Sequence, residues 1–240
     1  MPLSPAVLSI LATLFICVGI ALVFFLMRPR RFYFVRHGET LLNAAHIKQG
    51  EAGGLSEAGK QQATAAGTLL VPLRIQAIIS SPYERAQETA DTINELLHTT
   101  ISYSSLLAER RNPSDIIGKD RDDPTVAHIV DQMDLAYHDD SYRYGNEENF
   151  QDLKTRARKC LGYLARHGAT RTCVVTHHAF LKMLLSYMLY RETLHARDYV
   201  KLSFFNQSDN GGVSICEFHP WKLLSPTHGW EVISYNEQPE

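Results

Sequence analysis

The 240-residue chain is 45% hydrophobic and 21% charged, enough apolar content for one sizeable core and too much for a disordered or collagen-like chain. Its formal net charge of -2 provides no basic surplus for binding a phosphate backbone, so nucleic acid is not an expected partner. Four dispersed cysteines without a CxxC pair exclude a disulfide framework and a zinc site, and fit a reducing compartment.

The first element in chain order is Ala6 to Met27, "AVLSILATLFICVGIALVFFLM", 22 residues without a charge. About 20 apolar residues cross a bilayer core as a helix, so a single transmembrane span over 6–27 is expected, within an anchor segment 1–30. No basic region precedes it and no small-residue cleavage pattern follows it, which favours a retained anchor over a signal peptide. Arg28, Arg30 and Arg31 come next, and the positive-inside bias then places the remaining domain, 31–240, in the cytoplasm against the membrane surface.

Beyond Arg31, short β-rich runs alternate with helical periodicity, the pattern of an α/β fold. "RFYFV" reads as a first strand, and "LSEAGKQQATAAGTLLV" as a helix that Ser56 can cap. "IQAIISS" is a second strand, followed by the helix "PYERAQETADTINELL" with Pro82 in its first turn. A short third strand falls in "TTISYSS". The stretch Leu106 to Gly145, rich in charge, Asp and Pro, is too polar for core and long enough to act as a lid. A helix from about Asn149 to His167, the strand "TCVVT" and a helix from about Ala179 come next. "YVKLSFF", "GGVSICEF" and "WEVISY" then read as three further strands, which makes the sheet mixed.

Cys160 and Arg166 stand at the spacing used by cysteine-dependent phosphatases, but that chemistry needs a tight loop of backbone N–H groups around the phosphate. The apolar spacing of Phe150, Leu153, Ala157, Leu161 and Leu164 instead puts Cys160 inside an amphipathic helix, as a buried structural residue. "DRDDP" and "YHDD" lack convergent spacing and read as solvated loop charges, so neither a metal nor another cofactor is expected.

Two strands end in histidine: "FYFV" in Arg36-His37-Gly38 and "CVVT" in His177-His178. Ligand sites of open α/β sheets lie at the carboxyl ends of the strands, beside helix N-termini that favour anions. The second strand leads through "SSPYER" to Arg85. Two arginines and two histidines at one sheet edge point to an anionic occupant such as phosphate.

In order, Arg36-His37-Gly38-Glu39-Thr40 with Asn43, Gln49-Gly50, "LSEAGKQQA", "SSPYERAQETA", Glu109 and "VVTHHAFLKMLL" resemble the histidine phosphatase superfamily, the clan that includes phosphoglycerate mutases. The resemblance covers nearly the whole chain beyond Arg31. It implies a three-layer phosphoglycerate mutase-like sandwich around a mixed, mostly parallel sheet. It also implies a phosphatase that hydrolyses phosphomonoesters, with a phosphorylated small molecule as partner. His37 would attack phosphorus to give a phosphohistidine, Arg36, Arg85 and His177 would hold the transferring group, and Glu109 would donate a proton to the leaving oxygen. Asn43, Gln49, Gly50 and His178 would complete the substrate site. Gly38 would let the backbone approach the ligand. A surface ion pair with Arg110 or Arg111 is the competing reading of Glu109.

The chain departs from the family in three places. His178 stands where relatives usually have glycine, Leu42 stands where tryptophan is frequent, and Arg111-Asn112-Pro113 replaces the His-Tyr-Gly typical of the mutases. A mutase-type phosphotransferase is therefore the second expectation. A membrane-tethered module that binds phosphate without turnover is the third, and it would need no nucleophile and acid together.

Overall fold

The computed structural model describes residues 4–136, 139–202 and 208–238. Its centre is one six-stranded sheet of β1 (Arg30–Arg36), β2 (Ala77–Ser80), β3 (Thr100–Tyr103), β4 (Arg171–Thr176), β5 (Val213–Phe218) and β6 (Trp230–Glu237), in the order β3-β2-β4-β1-β5-β6. The first four in that order run parallel to one another, while β5 is antiparallel to β1 and β6 to β5. The expected mixed, mostly parallel sheet is what forms.

Phe32, Tyr33, Phe34 and Val35 are all buried, as a central parallel strand requires when helices cover both of its faces. Phe32, Phe34 and Val174 pack with Leu153, Leu161 and Leu164 of α6 (Phe150–His167) and with Leu181, Leu184 and Leu185 of α7 (His178–Tyr190). Tyr33, Val35, Cys173 and Val175 pack on the other side with Ala66 and Leu70 of α3 (Glu57–Leu70) and Ala86, Ala90 and Ile93 of α4 (Glu84–Leu97). The layers are therefore helix, sheet and helix. Ser56 Oγ accepts from the Gly59 N–H at 3.0 Å, and Asn149 Oδ1 accepts from the Asp152 N–H at 3.0 Å, each cap contributing about 1 kcal/mol.

Three expectations change. Helix α4 begins at Glu84 with Tyr83 at its cap, so Pro82 lies in the bend before it. The polar stretch 106–145 contains α5 (Pro124–Leu135), whose Val126, Ile129 and Met133 close a small core with Ile116. Its acidic Asp123 is the cap, accepting from the Thr125 N–H at 2.7 Å. "YVKLSFF" is not a strand where it is described. Its first residues end α8 (Ala196–Lys201), where Asp140 Oδ1 accepts from the Ala196 N–H at 2.7 Å, and 203–205 lie outside the described residues. Tertiary contacts override the β preference of Tyr199 and Val200.

Helix α1 (Pro5–Leu26) carries no charge, and Leu14, Phe15 and Ile16 are 60%, 82% and 59% exposed. Among the described residues, no helix is long and apolar enough to cross a membrane, so the expected span over 6–27 is not established by the fold. Helix α2 (Leu41–Ala44) is the remaining short helix, and Thr40 Oγ1 caps it by accepting from the Asn43 N–H.

Candidate active site

Strand register builds the site. Arg36 is paired with Thr176 across β1 and β4, so His37 and His177 emerge side by side, and the His37 N–H donates to Thr176 O at 3.0 Å. Ser80 pairs with Val175 on the other side of β4, which brings Ser81 beside His177 at 2.7 Å from its Nε2. The two imidazole centroids are 5.0 Å apart, and the Tyr83 ring centroid lies 5.1 Å from that of His177.

His37 is 4% exposed, and its Nδ1 lies 2.7 Å from Gly38 O. A carbonyl oxygen only accepts, so Nδ1 carries the proton and Nε2 carries the lone pair. Burial first, then the Arg85 and Arg36 charges, push the His37 pKa well below that of an ordinary histidine. The ring is thus neutral at physiological pH. Arg85 Nε–H donates to His37 Nε2 at 3.3 Å, while its Nη1 donates to Gly50 O at 3.0 Å and to Glu51 O at 3.3 Å.

A cavity of about 350 Å³ opens over these groups, lined by Arg36, His37, Asn43, Lys48, Gln49, Arg85, Glu109, Asn112, Arg121 and His178. His177 stands behind the wall, with no exposed surface. Its Nδ1, Arg36 Nε and Asn43 Oδ1 are buried without a partner. Unsatisfied polar atoms cost about 1–3 kcal/mol each, and a bound phosphate ester offers acceptors for the N–H groups among them.

Glu109 is not a surface partner of Arg110, which pairs with Glu147 at 2.6 Å instead. Its Oε1 accepts from the backbone N–H of Arg110 at 2.8 Å and of Phe180 at 3.0 Å, and its Oε2 from that of Ala179 at 3.2 Å. The N-terminus of α7 thus aims the carboxylate at the cavity. Arg156 fixes the loop behind it, donating to Ala108 O at 2.7 Å and pairing with Glu148 at 2.6 Å.

Other expected site residues have structural duties. The Gln49 amide accepts from Thr40 Oγ1 at 3.0 Å and donates to Ala52 O and Gly53 O at 3.1 Å each, while Gly50 lies in the neighbouring pocket of about 280 Å³ with Tyr83 and Ile117. His178 lines the cavity and is tied through Nδ1 to Ser208 Oγ at 2.8 Å. A Cβ at Gly38 would sit 2.3 Å from Gly59 O, so glycine at this position lets the turn after β1 pack against the first turn of α3. Lys48, Asn112 and Arg121 were not singled out from the sequence. Lys48 stands alone before Gln49-Gly50, and Arg121 is masked by the acids of "DRDDP".

Cys160 is inside α6, buried, with its thiol pushed up to about 12 by burial, so it has no nucleophilic part. Among the described residues no group of His, Cys, Asp and Glu could hold a metal ion.

The histidine phosphatase superfamily (branch 1) family model matches residues 32–228. The chain belongs to that superfamily. Its class is therefore that of the histidine-dependent phosphoric monoester hydrolases. It is 29% identical over 159 residues to "Probable phosphoglycerate mutase GpmB" of Erwinia tasmaniensis, covering 65% of this chain and 74% of that one. It is 36% identical over 84 residues to the glucosyl-3-phosphoglycerate phosphatase of Mycolicibacterium vanbaalenii, covering 35% of this chain and only 37% of the relative. The native structure of mycobacterial glucosyl-3-phosphoglycerate phosphatase superposes with a TM-score of 0.70 at 24% identity, over 88% of this chain and all of that one. At that identity the likeness concerns the fold.

Proposed function

We propose that the chain hydrolyses phosphomonoesters through a phosphohistidine on His37, with Glu109 as proton donor. The observation that carries this reading is the His37 ring itself: neutral, protonated on Nδ1 by its bond to Gly38 O, and with Nε2 beside the Arg85 guanidinium among the residues that line the cavity with Arg36. Nε2 attacks phosphorus in line with the leaving oxygen. Arg36 and Arg85 balance the charge on the non-bridging oxygens, the largest contribution a protein makes to phosphoryl transfer. His177, held by Ser81, supports the His37 ring from behind and has Nδ1 left to donate. Glu109 protonates the leaving alkoxide, and the resulting carboxylate then activates the water that cleaves the phosphohistidine. His37→Ala is expected to lower kcat by at least about a thousandfold, and a rate near wild type would remove His37 from the mechanism.

We also propose that 1–30 anchors the domain 31–240 to a membrane on its cytoplasmic side. Support comes from the uncharged run of α1, its exposed Phe15, Leu14 and Ile16, and the arginines directly after it. Partition of the full chain into the detergent-soluble membrane fraction, resistant to high salt and carbonate, tests this. Recovery in the aqueous fraction would reject it.

A further inference from the structure

The catalytic cavity occupies one edge of the sheet, where β1 closes on Arg36. Arg30 opens β1 at the other edge, paired with Phe218 of β5. Seven residues at about 3.3 Å per step set the two edges roughly 20 Å apart.

A second cavity, of about 530 Å³, lies at this far edge, where Arg158, Arg166 and Arg191 join Arg30 around Phe218 and Trp230. No carboxylate stands among its described lining residues. Arg30 donates to Ala165 O, Arg191 lies over the Tyr187 ring at 4.7 Å, and Arg158 reaches Glu192 at 3.6 Å. Only the last of these partners is an anion, and with both side chains more than half exposed the pair contributes little. Arg191 Nε is buried without a hydrogen-bond partner, a donor that costs stability until an acceptor reaches it.

Beside the arginines stands an apolar tip. The turn between β5 and β6, closed where the His219 N–H donates to Gly229 O at 2.8 Å, leaves Trp221, Leu223 and Leu224 exposed by 49%, 53% and 102%. Tryptophan and leucine next to arginine suit a bilayer interface, where the ring and alkyl groups enter the acyl boundary and guanidinium groups meet lipid phosphates. The course of the chain decides which surface this edge meets. Helix α1 ends at Leu26 and β1 begins at Arg30, four Cα steps that span at most about 14 Å. With α1 in a bilayer, the edge lies against the headgroup layer, which is itself about 5–7 Å deep on each side.

We propose that this edge is a seat for anionic phospholipid headgroups, with Arg158, Arg166 and Arg191 on the lipid phosphates and Trp221, Leu223 and Leu224 in the interface. The seat rests on the anchor reading above. It turns the catalytic cavity away from the bilayer, so the substrate arrives from the aqueous phase.

The test uses the full chain in vesicles of phosphatidylcholine, alone or with phosphatidylserine as the minor component. Trp221 and Trp230 are the chain's two tryptophans and Trp230 is buried, so quenching by a lipid nitroxide near the top of the acyl chain reads Trp221. Quenching should be strong with phosphatidylserine, and weak without it or in high salt. Each arginine near an anionic surface is worth about fivefold in binding, so Arg158→Gln with Arg166→Gln and Arg191→Gln should lower the seated fraction at least about tenfold. Quenching in that triple variant then falls toward that of Trp221→Phe, with circular dichroism checking the fold. Leu223→Ser with Leu224→Ser, at exposed positions, should weaken quenching without touching an arginine. Equal quenching in the two vesicles, or quenching unchanged in either variant, would overturn the seat. So would quenching that follows protein density in place of phosphatidylserine, the mark of contact with a second copy. If the anchor reading fails, the chain leaves carbonate-washed membranes, and co-sedimentation of the full chain with the same vesicles decides the seat separately. Retention on phosphatidylserine vesicles that drops at least about tenfold in the triple variant supports it, and equal retention on both vesicles overturns it.

Discussion

Glu109→Gln separates the chemistry of this residue from its place in the fold. The carboxylate accepts from three backbone N–H groups, those of Arg110, Phe180 and Ala179. A glutamine keeps the two bonds to Oε1 but turns an NH2 group toward the Ala179 N–H, donor against donor. One unsatisfied pair of this kind costs about 1–3 kcal/mol of stability. The chemical effect is of another size and depends on the substrate. Loss of a general acid costs about 10²- to 10⁴-fold when the leaving alkoxide needs a proton, which is about 2.7–5.4 kcal/mol of barrier. A nitrophenolate leaves unaided, so the loss on p-nitrophenyl phosphate should be far smaller. The assay is kcat/KM on an alkyl and an aryl phosphate, at a temperature where urea titration shows the variant fully folded. Equal losses on both substrates would refute the proton-donor role and leave Glu109 as a cap of α7.

Gly38→Ala is expected to destabilise by at least about 3 kcal/mol, because the added Cβ meets backbone at 2.3 Å from Gly59 O and no rotamer relieves it. A wild-type urea midpoint would show that β1 and α3 are not held in contact there. His37 and His177 are both buried, with pKa values pushed well below the ordinary value, first by burial. The unfolded chain then binds more protons below pH ~6.5, so stability is full above that pH and falls as pH drops. Two such rings give a loss of about 3 kcal/mol between pH 7.5 and 5.5, and a flat denaturation midpoint over that window would contradict their burial as neutral imidazoles.

The site was legible where chemistry follows directly from strand ends. Arg36-His37 and His177-His178 each close an apolar run, and the pairing of Arg36 with Thr176 brings them together without further information. Glu109 was readable only through the family resemblance, because the donors that aim it belong to α7, some 70 residues later in the chain. The packing requirement on Gly38 was hidden for a similar reason, since what a side chain there would meet is Gly59 in another element. Helix α5 was hidden by the charges of its own cap, and the helical turn around Tyr199 by a β-branched and aromatic composition that packing overrules. Lys48 and Arg121 carry no local signal as cavity residues, because only the bridge between Ile47 and Asp120 joins the two segments that deliver them to the cavity.

The central claim is the covalent step on His37, and the most direct measurement is acid-free rapid quench of the turning-over enzyme followed by peptide mass spectrometry. Phosphate should appear on His37 within the first turnover and disappear as the substrate is exhausted, with nuclear magnetic resonance assigning it to Nε2, the nitrogen left free by Gly38 O. Sustained turnover with no phosphate on His37, or phosphate on another residue in its place, would contradict the account.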